Sequence, residues 1–358
     1  MKSMRKVIFW LAGCIFVLIL IGTGSFLLFS IFMEFEPAPV EPVEILGSAS
    51  APLDSTGKFS LITWNIGYGG LDNGMDFFYD GGKRVRPEYP SFQQSWAGIL
   101  HFLKEHDRMD FFLLQEVDSC SKRSFYKNEV NDMANTLPGF CLAYALNYHC
   151  RFVPVPPAHP MGRVNSGLVT CSRYQPVGVM RYGFDKHVPW PDRLFYMKRC
   201  FLVSRYSLSN GRQLILVNIH NSAYDTGGIL RKREMEMIRD FLLAEYERGN
   251  YLVAGGDWNA NPPGFSPEAI TTGDCVKQDD FTNLKSFFPD WEFAFDPLLP
   301  TNRDVDQAYR KGITPVTILD FFLVSPNVRI LKTCTFPTGF EESDHQPVYL
   351  EITLSPAE

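Results

Sequence analysis

The chain has 358 residues, 45% of them hydrophobic, with a formal net charge of -6 and a pI near 5.7. That apolar share excludes a disordered chain and is enough for a large buried core. The acidic balance leaves out the broad basic surface of most nucleic-acid binders, although a metal and a few local cations can hold one phosphodiester without it.

Lys2, Arg5 and Lys6 precede an uncharged run from Val7 to Met33, which Glu34 and Glu36 close. At ~1.5 Å per residue such a run crosses the ~30 Å hydrocarbon core with some tilt. The basic residues on its first side put the N-terminus in the cytoplasm and everything after the run outside. A buried core helix of this length would need a polar face, and a cleaved signal has a shorter apolar region of about 7–15 residues. The expectation is a retained single-pass anchor over 7–33, behind a basic cytoplasmic flank over 1–6. Leu11-Ala12-Gly13-Cys14 resembles a bacterial lipoprotein processing box. Such boxes turn polar after the Cys, whereas Ile15 to Leu20 is aliphatic, so the match reads as a coincidence of small residues.

Residues 34–56 are rich in Pro, Ala and Ser and read as an extended, solvated linker. From 57 to 358 no second linker or internal repeat interrupts the pattern, which predicts one domain. Strands are expected at Phe59–Trp64, Phe111–Gln115, Gly167–Cys171, Phe201–Tyr206, Leu214–Ile219, Tyr251–Ala254, Leu319–Val324 and Val348–Ile352. Continuous runs such as Leu214-Ile215-Leu216-Val217 imply strands covered on both faces. Helices are expected from about Ser91 to Lys104 and from about Gly228 to Glu247, the latter stopped by Gly249. Layered α/β is the architecture these elements suggest. Of the eight cysteines seven are scattered beyond Cys14, with no CxxC pair, so a structural zinc site has no support. An exported domain could oxidise some of them, Cys141 and Cys150 being nearest in sequence.

Polar residues gather where these apolar strands end: Asn65, Glu116, His220, Asp257 with Asn259, Asp320, and Asp344 with His345. Singly, each is a turn former or a cap as often as anything else. As an ordered set they offer hard oxygen ligands, two imidazoles and carboxylates to orient them. That donor set suits Mg²⁺ or Mn²⁺ and the cleavage of a phosphate ester.

ITWNI, LLQEV, NSGLVTCSRY, VNIHN, GGDWNANP, ILDFFLVS and SDHQPV occur in that order between Phe59 and Leu354. In this the chain resembles the endonuclease/exonuclease/phosphatase superfamily, whose fold is a four-layered α/β sandwich of two central β-sheets flanked by helices. The resemblance implies a metal held by Glu116 and Asn65, with Asp344 reaching it through water. Asp257, oriented by Asn259, would position or deprotonate the attacking water. His345, held by Asp320, would serve as base or phosphate clamp. His220 would hydrogen-bond the phosphate or protonate the leaving oxygen, with Asn218 and Asn165 in support. Ile318 stands where many nucleases of the superfamily carry an Arg near the Asp, which weakens the case for a nuclease-like grip on phosphate. Tyr68 to Pro87, rich in glycine, reads either as a flexible substrate-facing loop or as a plain surface excursion. His101, His106, His149, His159 and His187 match no motif and read as structural or surface residues.

The expected activity is thus a metal-dependent phosphodiesterase working outside the cytoplasm. Its substrate could be nucleic acid, a phospholipid head group such as sphingomyelin's, or a small phosphoester such as an inositol phosphate. No protein partner is inferred. The rival of another class is an inactive, membrane-anchored binding module on the same fold.

Overall fold

The computed structural model describes residues 2–49, 53, 57–184, 188–223, 225, 227–270, 273, 275–278 and 284–355, with backbone alone at 2 and 3. His187 and linker residues 50–52 and 54–56 lie outside the described residues. Helices α1 (Lys2–Phe32), α2 (Tyr89–Glu105), α3 (Glu129–Thr136) and α4 (Ile229–Glu247) accompany two seven-stranded sheets. The first sheet runs Val40–Pro42, Gly178–Gly183, Cys200–Ser207, Gln213–His220, Tyr251–Asp257, Asp320–Val324, Glu292–Ala294. The second runs Val328–Thr335, Val348–Leu354, Lys58–Asn65, Phe111–Asp118, Gly162–Ser172, Cys141–Val153, Ile45–Leu46.

The inner faces of the two sheets meet in one core that includes Phe59, Leu61, Phe111, Leu113, Leu214, Leu216, Val253, Phe322, Leu350 and Ile352. On the outer face of the first sheet, Ile215, Val217 and Leu252 pack against Met235, Ile238 and Leu242 of α4. On the outer face of the second, Ile62, Phe112 and Leu114 meet Trp96, Ile99 and Leu103 of α2 and Val130 and Met133 of α3. This is the four-layered sandwich, and it explains the doubly apolar strands: each central strand is covered by a sheet on one side and a helix on the other.

Two readings are corrected. The linker is not wholly a solvated spacer: Val40–Pro42 pairs with Gly178–Gly183, and Ile45–Leu46 pairs with Cys141–Val153. One short segment thus covers an edge of each sheet, which leaves fewer backbone groups unpaired there. Nor is the stretch after Asn65 a free excursion. Tyr68, Leu71, Met75 and Phe77 are buried, and the buried guanidinium of Arg303 donates to Asp72 O (2.6 Å), Met75 O (3.2 Å) and Leu71 O (3.4 Å). All eight cysteines are free thiols, Cys141 and Cys150 included.

Candidate active site

The inner layer of the sandwich turns polar toward one pole. Along each central strand the side chains facing the opposite sheet alternate, and their chemistry changes as the pole is approached. Phe59, Leu61 and Thr63 lead to Asn65; Phe111 and Leu113 lead to Gln115; Leu214, Leu216 and Asn218 lead to His220; Tyr251, Val253 and Gly255 lead to Asp257. The next strand runs the other way, from Asp320 through Phe322 to Val324. Pairing register sets Asp257 opposite His220 on one side and opposite Asp320 on the other, so the three project to the same face as neighbours. Gly255 is a glycine because a Cβ there would lie 2.4 Å from the Phe322 ring.

Beneath the pole lies a fully buried polar layer. Gln115 Nε2 donates to Asn218 Oδ1 (2.7 Å) and Thr63 Oγ1 (3.2 Å), while Asn218 Nδ2 donates to Val169 O (2.9 Å) and Leu114 O (3.1 Å). Asn218 therefore ties the two sheets together below His220. Glu116 would point outward by strand alternation. Instead its φ of 56° and a register slip between Leu114 and Val117 turn it to the pole.

Asp257 is the hub. Its Oδ2 lies 3.1 Å from Asn65 Nδ2, 3.6 Å from His220 Nε2 and 3.7 Å from His345 Nε2, while its Oδ1 accepts from Asn259 N at 2.9 Å. His345 Nδ1 lies 2.7 Å from Asp320 Oδ2, and Asn302 Nδ2 lies 2.9 Å from His345 Nε2. The His345 segment is pinned to the end of strand Lys58–Asn65: Ser343 Oγ donates to Asn65 O (2.8 Å), and Trp64 Nε1 donates to His345 O (2.9 Å). Asn165 stands apart. Oriented as its neighbours require, its amide engages His149 Nδ1 (2.9 Å) and Arg163 Nη2 (3.1 Å) rather than the cluster.

Burial and charge set the protonation states. Burial pulls His345 down, but the carboxylates of Asp320 and Asp257 outweigh it and bring its pKa to about 10. Burial lifts Asp320 to about 6 against the pull of His345. Burial lowers His220 well below its ordinary range, with Arg199 and His345 adding to the effect. Asp344 is lifted to about 7 by burial; His345 opposes this and the Glu116 charge adds to it.

The donor set fits a hard dication. The Glu116 carboxylate is met only loosely, by Asn65 Nδ2 at 3.4 Å, Arg123 Nη2 at 3.8 Å and His220 Nε2 at 3.9 Å, so its lone pairs face the pole. The converging charges of Glu116 and Asp344 would be relieved by a cation. A second grouping, Asp257, Asp320 and His345, has ligand atoms within 4.8 Å of one another. It fits less well, because Asp320 and His345 already neutralise each other. Asn65 offers the carboxylates its nitrogen, its oxygen being held by Gly67 N at 3.1 Å.

Sequence reasoning missed Asn302, Arg123 and Arg199. Arg123 holds Asp118 by two bonds (3.1 and 3.0 Å), and its guanidinium stacks 3.6 Å above the buried Tyr68 ring. Arg199 Nη1 donates to His220 O at 3.2 Å. None of the three lies in a periodic segment, and their partners are remote in sequence or set by loop geometry.

Comparison with known proteins agrees with this fold. A UPF0294 protein of Yersinia pseudotuberculosis is 28% identical over 172 residues, covering 47% of this chain and 55% of that protein. The chain thus spans about half the length of this Yersinia relative. A UPF0294 protein of Vibrio parahaemolyticus is 20% identical over 308 residues, covering 86% of this chain and 82% of its own. Among solved structures, ANGEL2, a 2',3'-cyclic phosphatase, superposes with a TM-score of 0.54 at 15% identity, over 88% of this chain and 99% of that one. A mannosyl-6-phosphatase of Bacteroides thetaiotaomicron gives 0.51 at 14% identity, over 83% of this chain and 100% of that one. Residues 62–345, which hold every strand end described above, match the Endonuclease/Exonuclease/phosphatase family, and the chain belongs to it.

Proposed function

We propose that the chain is a divalent-metal-dependent phosphodiesterase, tethered by α1 with its N-terminus in the cytoplasm and its site outside. The observation that carries this reading is the convergence on Asp257 Oδ2 of an amide and two imidazoles, at 3.1, 3.6 and 3.7 Å, with Glu116 beside them. Mg²⁺ or Mn²⁺ held by Glu116 and Asp344 would draw charge from a nonbridging phosphoryl oxygen. Asp257, fixed by the Asn259 N–H, is placed to orient water and accept its proton. His345, charged through its contact with Asp320, offers Nε2–H to a phosphoryl oxygen. His220, kept neutral by burial, offers a hydrogen bond there rather than a second charge.

A diester fits this site better than a monoester. Glu116, Asp257 and Asp344 crowd one pole, Asp320 being neutralised by His345, and a dianionic phosphate would meet more repulsion there than a monoanionic one. The acidic chain and the neutral Ile318 weigh against extended nucleic acid and toward a phospholipid head group or small phosphoester.

The test is hydrolysis of bis(p-nitrophenyl) phosphate and p-nitrophenyl phosphate by the full chain in detergent micelles, with Mg²⁺ or Mn²⁺. Turnover of the diester should exceed that of the monoester, stop in EDTA, and fall about 10²-fold or more in Asp257→Asn. Failure of both esters, with metal still binding, would favour the inactive binding module.

A further inference from the structure

The pole that carries the site is also the pole to which α1 attaches. Strand Gln213–His220 ends there, and pairing of Leu202 with Asn218 puts the start of strand Cys200–Ser207 at the same end. Pairing of Val153 with Gly162 and of Ser166 with Asp118 brings there the loop between strands Cys141–Val153 and Gly162–Ser172. Helix α1 meets the domain at these two segments. Phe26 stacks on Phe195 (5.8 Å) and meets Phe152 edge-on (6.0 Å). Just beyond the helix, Glu34 holds Lys198 Nζ at 2.9 Å and Arg193 Nη2 at 3.4 Å.

Above Phe26 the apolar part of the helix is exposed throughout, from Val7 to Ser25. At ~1.5 Å per residue that free part is about 28 Å long, close to the ~30 Å of a hydrocarbon core. If it spans, the bilayer surface falls at the level of Phe26, and so at the level of Phe152 and Phe195. The surface around them is suited to that place. Phe152 is 40% exposed, Val155 36% and Trp190 58%. The loop Pro154-Val155-Pro156-Pro157-Ala158-His159-Pro160 carries no carboxylate, Lys or Arg. Arg151 and Arg193 flank the patch, and Asp192 is the acidic residue of the Trp190 turn. Exposed aromatics beside cations are what a headgroup region accepts.

We propose that this pole docks on the bilayer that α1 crosses, with Phe152, Val155 and Trp190 seated among the headgroups, so that the site meets phosphoesters presented at that surface. The inference rests on the tether and site of the proposed function and adds the surface and the substrate's location. A solvated linker would let the domain turn freely above the membrane; the Phe26 and Glu34 contacts fix which face looks down.

The test reads position rather than turnover. Trp64, Trp96, Trp258 and Trp291 are buried, so in Trp10→Phe the exposed tryptophan is Trp190. The full Trp10→Phe chain is reconstituted in phosphatidylcholine–phosphatidylglycerol vesicles whose acyl chains are brominated near the headgroup. Its emission should lose the component that Trp190→Phe also removes. On the Trp10→Phe/Trp190→Phe background, Phe152→Trp should be quenched in the same way. Emission indifferent to bromine at both positions would overturn the docking. Hydrolysis of bis(p-nitrophenyl) phosphate in the same vesicles reports on the site separately, so quenching without turnover counts against the enzyme reading and leaves the docking standing.

Discussion

Asn302 Nδ2 lies 2.9 Å from His345 Nε2, while Asp320 holds the ring's other nitrogen at 2.7 Å. With Asp320 at about 6 and His345 at about 10, the pair is carboxylate and imidazolium between those values, and both ring nitrogens then carry hydrogen. A charged His345 needs an acceptor at Nε2, so the Asn302 amide must present its oxygen there in the free protein.

Replacing Asn302 by Leu should therefore lower the His345 pKa. A lost buried hydrogen bond to the charged form is worth ~1–3 kcal/mol, or roughly one to two pKa units at ~1.4 kcal/mol per unit. The measurement is a ring-nitrogen NMR titration of the metal-free protein. In the wild type the charged form should persist through neutral pH and vanish near the raised value; in Asn302→Leu the midpoint should move down. A midpoint that rises instead would mean that Asn302 presents its nitrogen to a neutral ring, and an unmoved one that the amide favours neither form.

What was legible in the sequence follows the physics of burial. The eight strands expected are interior ones, most of them apolar on both faces because a sheet covers one and a helix the other; Val348–Leu354, which alternates, showed through its inward Val348, Leu350 and Ile352. Gly178–Gly183, next to an edge, and the edge strands Glu292–Ala294 and Val328–Thr335 were not legible, because a strand at a sheet's margin is held largely by its neighbour's backbone and can carry Arg181, Glu292 or Lys332. Cys141–Val153 was missed because Asn147, His149 and Arg151 break its apolar run near the pole. Candidate site residues were visible where an apolar strand ended in a polar group. Asn302 was not, since its role comes from an isolated bridge to His345, 43 residues away. The turn of Glu116 to the pole depends on a left-handed backbone that no side-chain pattern announces.

Glu116→Gln tests the metal. The change keeps the volume of a loosely held side chain, so the fold should survive. A cation binding only the native state stabilises it by ~2.7 kcal/mol at about a hundred times its dissociation constant. Mg²⁺ or Mn²⁺ should therefore raise the wild-type Tm, EDTA should reverse this, and Glu116→Gln should show little shift and sharply reduced turnover. An equal shift in the variant would remove Glu116 from the ligand set.

The edge-covering segment makes two truncations differ. A chain beginning at Pro37 keeps Val40–Pro42 and Ile45–Leu46, whereas one beginning at Lys58 loses both, together with Leu53 and its bridge to Leu208. Leu53 is buried and Val43, Ile45 and Leu46 are half-buried, so at ~1.5–3 kcal/mol for a fully buried aliphatic side chain the shorter chain should lose on the order of a few kcal/mol in urea. It should also self-associate through the bared strands Gly178–Gly183 and Cys141–Val153, visibly by sedimentation. Equal stability and a monomeric shorter chain would return the segment to the status of a spacer.

The Asp320–His345 pair has the clearest physical cause in the site. Asp320 is fully buried on an apolar strand, where an unpaired carboxylate is costly, and His345 is the partner at 2.7 Å. Asp320→Asn keeps the shape and removes the charge that holds the imidazolium, so the loss should fall mainly on kcat, by about 10²–10⁴-fold. The pair acts through one reacting atom, His345 Nε2. Once His345 is Ala, the identity of residue 320 should hardly matter, and Asp320→Asn/His345→Ala should be little worse than His345→Ala alone. Multiplying losses would mean that the two act separately. Asp320 would then support the strand rather than the ring, and Asn302 or Asp257 would have to orient His345.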